Sequence, residues 1–178
     1  MSTDQERWDA RYSETSPQPK VANVILENQS LLPTRGKALD LACGLGGNAL
    51  FLAEQGLEVE AWDISPIAIK KLNRLAEGLP VTARIVDITQ TEWPLETFDV
   101  IVVSYYLERS ISQKIVDALK PGGLLFYETF NQNILERGPK NPAYRLKEKE
   151  LLEMFNGLTV RYYSEDNCCD TTRMVAEK

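Results

Sequence analysis

With 178 residues, of which 43% are hydrophobic, the chain is long enough to bury the core of one globular domain. Its formal net charge of -6 argues against the broad basic surface that nucleic acids and anionic membranes require. The absence of histidine excludes serine–histidine and cysteine–histidine catalysis and histidine-ligated metals. We therefore expect chemistry based on carboxylates, Tyr, Lys, Cys or a cofactor, with no metal site and neither a nucleic acid nor a membrane as partner.

The beginning of the chain predicts no leader or membrane segment. The run MSTDQERWDARYSE is polar and charged, and no apolar run approaches the roughly 18 residues of a membrane span. Three cysteines, an odd number, provide no disulfide framework and suit a reducing compartment. These features predict a cytoplasmic protein, and the sequence indicates no oligomeric state.

Two helices are predicted ahead of the core. Residues 3–12 have the pattern of a short helix, and Val21–Leu32 has the spacing of an amphipathic helix. We expect residues 1–35 to form N-terminal helices that serve as a lid on a core at residues 37–178. The whole chain, residues 1–178, is predicted to be a single domain.

Strands and helices alternate through the rest of the chain. The predicted strands are Lys37–Ala42, Glu58–Asp63, Val81–Asp87, Phe98–Ser104, Leu124–Phe130, Leu158–Tyr163 and Thr172–Ala176. The predicted helices are Gly46–Gln55, a helix that opens at Ser65-Pro66, Ser110–Lys120 and Lys147–Phe155. This alternation predicts an α/β fold with a doubly wound, mostly parallel seven-stranded sheet. The last two strands, which have no helix between them, predict an antiparallel hairpin at its edge.

The stretch KALDLACGLGGNAL joins the first predicted strand to the next helix and carries Asp40 followed by three glycines. Ligands of doubly wound sheets bind outside the carboxyl ends of the strands, and glycine backbone can approach a ligand without a Cβ clash. Asp63 ends the second strand about 20 residues further on, where a carboxylate accepts the hydroxyls of an adenosine ribose. Asp87 ends the third strand and is placed to accept from an adenine amino group.

Two ligand classes compete for this loop. The motif GLGGNA fits the dinucleotide fingerprint G-x-G-x-x-G/A, but Asp40 beside it would repel a pyrophosphate. S-adenosylmethionine offers an adenosine to Asp63 and Asp87 and a cationic methionine end to Asp40. The pattern of charges favours S-adenosylmethionine over NAD.

The motifs ALDLACGLGGNALFLAEQG, VEAWDIS, ARIVDIT, FDVIVVSYYL and ALKPGGLLFYETF resemble those of the class I S-adenosylmethionine-dependent methyltransferases. WDARY and the run from ETF through GPKNPAYRLKEKELLEMF are similar to segments of small bacterial methyltransferases related to the tellurite-resistance methyltransferases. The resemblance has specific motifs over roughly residues 37–130. It implies a Rossmann-like fold with S-adenosyl-L-methionine as cofactor.

The resemblance also implies a set of cofactor contacts. They are Asp40, Ala42, Cys43, Gly44 and Gly46 at the methionine end, Asp63 and Ile64 at the ribose, Asp87 and Ile88 at the adenine, Ser104 and Tyr105 after the fourth strand, and Arg11 and Tyr12 over the methionine carboxylate. One position departs from the pattern, because Asn48 stands where many relatives place Thr or Arg.

Methyl transfer requires mainly that a nucleophile be aligned behind an activated methyl, and alignment can contribute about 7–11 kcal/mol. The candidates for catalytic contacts are Tyr105, Tyr106 and Glu128, with Tyr144 and Arg145 as further substrate-side candidates. Little chain remains beyond the sheet and its helices, so we expect a small-molecule acceptor: a thiol, a metalloid oxyanion, or a small acid or amine. The alternative is a protein that binds S-adenosylmethionine or S-adenosylhomocysteine without transferase activity, because no substrate motif is recognisable.

Two further groups are interpreted as surface features. Arg137, Lys140 and Arg145 form a basic stretch that we interpret as a solvated loop rather than an anion site. The pair Cys168-Cys169 lies at the tip of the predicted hairpin, where exposed thiols are a simpler interpretation than a soft-metal site.

Overall fold

The structure, a computed structural model, describes residues 3–14, 18–133, 137–165 and 170–178. Its strands are β1 (Lys37–Leu41), β2 (Glu58–Asp63), β3 (Val81–Ile85), β4 (Phe98–Ser104), β5 (Leu119–Phe130), β6 (Thr159–Ser164) and β7 (Thr171–Glu177). Its α-helices are α1 (Asp4–Glu14), α2 (Asn23–Glu27), α3 (Gly47–Glu54), α4 (Pro66–Leu75), α5 (Ser112–Ala118) and α6 (Glu150–Met154). Within these ranges no helix has both the length and the apolar character needed to cross a membrane.

The described strands form one sheet in the order β3-β2-β1-β4-β5-β7-β6. Strands β1 to β5 pair in parallel, and β7 pairs antiparallel with both β5 and β6. The predicted doubly wound α/β fold with an antiparallel edge is confirmed. The strand order reverses between β1 and β4, which is where such sheets bind their ligands.

The sheet carries a core on each face. Leu39 and Ile101 pack with α5 and α6 on one face, whereas Ala38 and Val102 pack with α2, α3 and α4 on the other. Because neighbouring residues of a strand point to opposite faces, both sides of β1 and β4 are buried. This explains why the central strands read as continuous apolar runs in the sequence.

Several predicted boundaries were wrong. The predicted helix Val21–Leu32 is split into α2 and a 3₁₀ turn at Gln29–Leu31, because Asn28 leaves the helical conformation and its side chain donates to the Val24 carbonyl at 2.9 Å. The third strand ends at Ile85 rather than at Asp87.

The elements near the end of the chain also differ from the prediction. The helix predicted to reach Lys120 ends at Ala118, and β5 begins at Leu119 rather than at Leu124. The predicted helix Lys147–Phe155 is shortened to α6 because Lys149 adopts a left-handed backbone with φ of 58°.

Candidate functional site

The glycine loop between β1 and α3 lies under the N-terminal segment. A Cβ added at Gly44 would lie 2.6 Å from the Tyr12 hydroxyl oxygen, and one added at Gly47 would collide with the Lys20 carbonyl. Gly46 adopts φ of 77°, a left-handed conformation that glycine adopts without strain. The glycines therefore let the chain's own N-terminal residues pack on the loop, a role that was not predicted from the sequence.

Asp40 lies near the end of β1 with its carboxylate against the start of α3. Oδ2 accepts from the Ala49 amide at 3.0 Å, and Oδ1 accepts from Asn48 Nδ2 at 3.3 Å. Complete burial raises the pKa of Asp40 to about 7, although both hydrogen bonds oppose this effect. The carboxylate therefore changes its charge near neutral pH.

Asp63 holds the other side of the glycine loop. Its Oδ2 accepts from the Gly44 amide at 2.8 Å, and its Oδ1 accepts from the Ser65 amide at 2.9 Å. Burial raises the pKa of Asp63 against these hydrogen bonds. The Ser65 hydroxyl in turn donates to Asp9 of α1. Asp40 and Asp63 therefore both hold backbone amides at the glycine loop and the start of α3.

Helix α1 covers the glycine loop. The rings of Trp8 and Tyr12 stack with centroids 5.9 Å apart, and the Arg11 guanidinium lies 5.4 Å from the Trp8 ring. Lys71 of α4 donates to the Tyr12 carbonyl at 2.5 Å. Burial, followed by the charge of Asp63, raises the pKa of the Tyr12 phenol, so this group stays neutral over the loop.

The residues predicted to hold the adenine differ in their exposure to solvent. Ile64 is half-buried directly after Asp63. Asp87 is exposed and accepts from the amide and hydroxyl of Thr89, which lower its pKa. The Ile88 side chain is buried and packs in the core with Trp62. Its side chain is thus taken up by the core rather than presented to a ligand.

Tyr105 follows β4 at the same rim of the sheet. Its side chain is 45% exposed, its hydroxyl donates to Glu128 Oε1 at 3.2 Å, and its ring lies 5.3 Å from that of Phe130. Burial and the charge of Glu128 raise the pKa of Tyr105 to about 12. At neutral pH this phenol is a hydrogen-bond donor and not a base.

Glu128 itself is completely buried at the end of β5. Its Oε2 accepts from the Val24 amide of α2 at 2.8 Å, and Arg173 Nε lies 3.6 Å from Oε1. Both oxygens therefore bind parts of the protein. Glu128, a candidate for a catalytic contact, is thus buried and reached by the Tyr105 hydroxyl.

Tyr106 contacts the core on one face of the sheet. It is half-buried against the apolar core, and its carbonyl accepts from the Tyr127 hydroxyl at 3.0 Å. Burial raises the pKa of its phenol, and so do the surrounding carboxylates, which are Glu108, Asp87, Asp4 and Asp63. The surroundings of Tyr106 are therefore strongly negative.

The interpretation of Arg145 as part of a solvated loop was wrong. Its side chain is 1% exposed, and it donates to the carbonyls of Pro139 and Asn131 at 2.7 Å each. A further hydrogen bond reaches the Arg137 carbonyl. Arg145 closes the loop on itself because a guanidinium presents several donors in a fixed geometry.

Two further candidates lie near Arg145 in the chain. Tyr144, predicted as a substrate-side residue, is 46% exposed. The Arg137 side chain is exposed and pairs with Asp170 at 3.2 Å, while the Arg137 carbonyl accepts from Arg145. Cys168 and Cys169 lie outside the described residues.

Asn48 is the site residue whose role was missed. Its Oδ1 accepts from the Ala22 amide at 2.9 Å, and its Nδ2 donates to Asp40 and, at 2.9 Å, to Ser104 Oγ. The side chain is 4% exposed. A signal was present in the sequence, since the amide of Asn48 directly precedes the apolar run ALFLA of α3.

The loop carries uncompensated negative charge. No lysine or arginine in the described part of the chain forms an ion pair with Asp40 or Asp63. Their hydrogen bonds come from uncharged amides, and burial still raises the pKa of both carboxylates. A ligand with positive charge would complete the site, whereas a pyrophosphate would be repelled.

Comparison with known proteins agrees with this chemistry. Residues 38–123 match the profile of a methyltransferase domain. The chain is 31% identical over 140 residues to the ubiquinone biosynthesis O-methyltransferase of Stutzerimonas stutzeri, an alignment that covers 71% of this chain and 59% of that protein. The chain thus spans less than two thirds of the length of this relative.

Solved structures share the fold at low sequence identity. TehB from Haemophilus influenzae superimposes with a TM-score of 0.75 at 20% identity, covering 96% of this chain and 67% of that one. The [4+2]-cyclase SpnF superimposes with a TM-score of 0.72 at 16% identity, covering 92% of this chain and 84% of that one. At these identities the likeness concerns the fold alone.

Proposed function

Because the chain belongs to the class I S-adenosylmethionine-dependent methyltransferases, with S-adenosyl-L-methionine as cofactor, we propose that it transfers a methyl group to a small-molecule acceptor. The observation that carries the proposal is the pair of buried carboxylates, Asp40 and Asp63, on the two sides of the glycine loop. The ammonium and sulfonium groups of this cofactor supply the positive charge that the pair lacks.

We assign the cofactor contacts by position. Asp63 accepts the ribose hydroxyls, Asp40 faces the cationic methionine end, and Tyr12 covers that end from α1. Arg11 lies beside Tyr12, and the backbone of Ala42, Cys43, Gly44 and Gly46 contacts the methionine end. Ile64, Asp87 and the Ile88 backbone surround the adenine. Ser104 and Tyr105 lie towards the acceptor.

The chain's own contribution to the reaction is positioning and exclusion of water. The bound cofactor supplies an electrophilic methyl group. Helix α1 and the backbone of Lys20 cover the loop on one side. Tyr105, neutral and fixed by Glu128, offers a hydroxyl and an aromatic face on the acceptor side. Alignment of this kind accounts for transfer without a histidine base.

For the acceptor we propose a hydroxyl group of a small neutral molecule. The support is the name of the relative, a ubiquinone biosynthesis O-methyltransferase. Thiols and amines are the next candidates. We place the reaction in the cytoplasm because of the cysteine content.

A second candidate function is cofactor binding without methyl transfer. The specific observation in its favour is the fold shared with a protein whose described activity is that of a [4+2]-cyclase. A methyltransferase fold therefore does not by itself establish methyl transfer.

Two measurements test the proposal. In titration calorimetry we expect S-adenosylmethionine and S-adenosylhomocysteine to bind and NADH not to bind, and a preference for NADH would overturn the charge argument. In a turnover screen we measure S-adenosylhomocysteine released with catechols, thiols, tellurite, small carboxylates and amines. Release with catechols supports the proposed acceptor. Tight cofactor binding with no release from any acceptor would favour the second function.

A further inference from the structure

Asn48 is the only side chain that the described structure ties to β1, β4 and the N-terminal segment at once. Its amide nitrogen donates to Asp40 of β1 at 3.3 Å and to Ser104 of β4 at 2.9 Å. Its amide oxygen accepts from the Ala22 amide at 2.9 Å. With 4% exposure and three partners, the orientation of this amide is fixed, because exchanging O and N would break the hydrogen bonds with Asp40 and with the Ala22 amide.

The contact with Ala22 matters because residues 18–22 lie directly on the glycine loop. The backbone of Lys20 occupies the space into which a Cβ of Gly47 would project. One side chain therefore links the covering segment to the carboxylate beneath it.

The surroundings of Asp40 otherwise disfavour its charged form. The titratable groups that face it are Asp63 of β2, Tyr12 of α1 and Cys43 of the loop, and none of them carries positive charge. Burial raises the pKa of Asp40, while the amide of Asn48 and the amide of Ala49 lower it. Of these two donors, Asn48 is the one that a substitution can remove.

We propose that Asn48 is a positioning residue that holds Asp40 in its ionised form for the cationic end of the cofactor while it fastens residues 18–22 over the loop. The inference rests on the proposed function, because it concerns the same cofactor site. Affinity for the cationic cofactor should therefore fall as pH drops through the ionisation of Asp40, and Asn48 should set the pH at which this happens.

The test compares Asn48→Asp and Asn48→Ala with the wild type. Asn48→Asp keeps the size of the side chain and the acceptor for the Ala22 amide but removes the donor to Asp40. We measure the dissociation constant of S-adenosylmethionine by calorimetry from pH 5.5 to 8.5. Loss of one hydrogen bond to an ionised group should move the midpoint up by about one pH unit in Asn48→Ala. The shift should be larger in Asn48→Asp, which adds a second carboxylate.

The matched control is Asn28→Asp, since Asn28 is equally buried in the N-terminal segment but donates to the Val24 carbonyl. It should leave the midpoint unchanged. If both Asn48 variants weaken binding by the same factor at every pH, the residue is merely structural and the inference is wrong. A wild-type affinity that does not change over this range would overturn it as well.

Titration of the Asp40 carboxyl carbon by NMR, without cofactor, separates the inference from the proposed function. An Asp40 midpoint that is higher in Asn48→Asp than in the wild type supports the inference, and an equal midpoint overturns it. Failure of the wild type to bind S-adenosylmethionine at any pH would instead overturn the proposed function. The inferred effect of Asn48 on the ionisation of Asp40 would still be tested by the NMR titration.

Discussion

Ala42 and Tyr105 adopt the same left-handed backbone conformation, each with φ of 54°, directly after the neighbouring strands β1 and β4. The pair lies where the strand order reverses. For residues with a Cβ this conformation costs about 1–2 kcal/mol each, and such strain concentrates at functional sites. We interpret the strained backbone at Ala42 as part of the cofactor loop and the strained backbone at Tyr105 as part of the proposed acceptor site.

Ala42→Gly should stabilise the protein. Glycine removes the strain at φ of 54° but adds flexibility to the unfolded chain, so we expect the free energy of unfolding to rise by about 0.5–1 kcal/mol in urea titrations. Ala53→Gly, within the right-handed helix α3, is the control and should lower it by about 0.5–1 kcal/mol. Equal losses in both variants would show that position 42 is not strained.

Asp63→Asn should weaken cofactor binding roughly ten- to a hundred-fold, because it removes a charged acceptor for the ribose hydroxyls. Asparagine is preferable to alanine, because it keeps the size of the side chain and one of the two acceptors for the Gly44 and Ser65 amides, whereas truncation would remove both. Asp117→Asn is the matched control. The Asp117 carboxylate of α5 accepts from Gln113 at 2.8 Å and has no assigned cofactor contact, so its replacement should change the dissociation constant by about threefold or less. Comparable losses in the two variants would place the ribose elsewhere.

Asp40→Asn should stabilise the ligand-free protein at alkaline pH. Burial raises the pKa of Asp40 from 3.8 to about 7, so between these values the native state binds the proton that the unfolded state has released. The contribution of Asp40 to stability is therefore full below about pH 4 and declines until the pH passes about 7, by on the order of 4 kcal/mol. We expect the variant to match the wild type at about pH 4 in urea titrations and to exceed it at pH 8.5.

Asp99→Asn is the control for Asp40→Asn, because its effect on stability at alkaline pH should have the opposite sign. Burial raises the pKa of Asp99, but hydrogen bonds from Lys120 and the Lys37 amide outweigh that effect, and the net pKa is lowered. Its contribution to stability is present at neutral pH and disappears in acid. Asp99→Asn should therefore be less stable than the wild type at pH 8.5, and a gain there would contradict the assigned electrostatics.

The sequence was most informative where one local pattern determines one element. Phe98–Ser104 is a run of apolar residues, and its strand has the predicted bounds. Ser65 followed by Pro66 predicts the start of a helix, and the Ser65 hydroxyl accepts from the Ala68 amide there. The proximity of Asp40 and Asp63 followed from the topology alone, because parallel strands end at one edge of the sheet.

The sequence was least informative where distant segments meet. Nothing near Glu128 indicates that it binds the Val24 amide 104 residues earlier in the chain. Arg145 lies in a polar, proline-containing stretch, and its burial depends on how that loop folds back on itself. The link from Asn48 to Ala22 is of the same kind, since it spans 26 residues. Side chains that satisfy distant backbone groups leave no periodic signal.

Arg145→Lys should lower the free energy of unfolding by about 2–3 kcal/mol, because lysine cannot replace the planar donor set and buried carbonyls lose their partners. Chemical denaturation measures the loss. Arg161→Lys is the matched control, since Arg161 forms an exposed ion pair with Glu177 and should change stability by less than about 1 kcal/mol. A similar small effect at position 145 would mean that the loop does not depend on the guanidinium.

Tyr105→Phe and Glu128→Gln separate a role in the reaction from a role in the fold. Tyr105→Phe removes one hydroxyl from a side chain that is 45% exposed, so stability should fall by only about 0.5–1.5 kcal/mol. If the hydroxyl orients the acceptor, kcat should fall about tenfold or more while the cofactor dissociation constant stays within twofold. Glu128→Gln removes a buried charge that faces Arg173 and should act mainly on stability, by about 2–4 kcal/mol. An unchanged kcat in Tyr105→Phe would exclude a role of the Tyr105 hydroxyl in orienting the acceptor, because the variant lacks only that group.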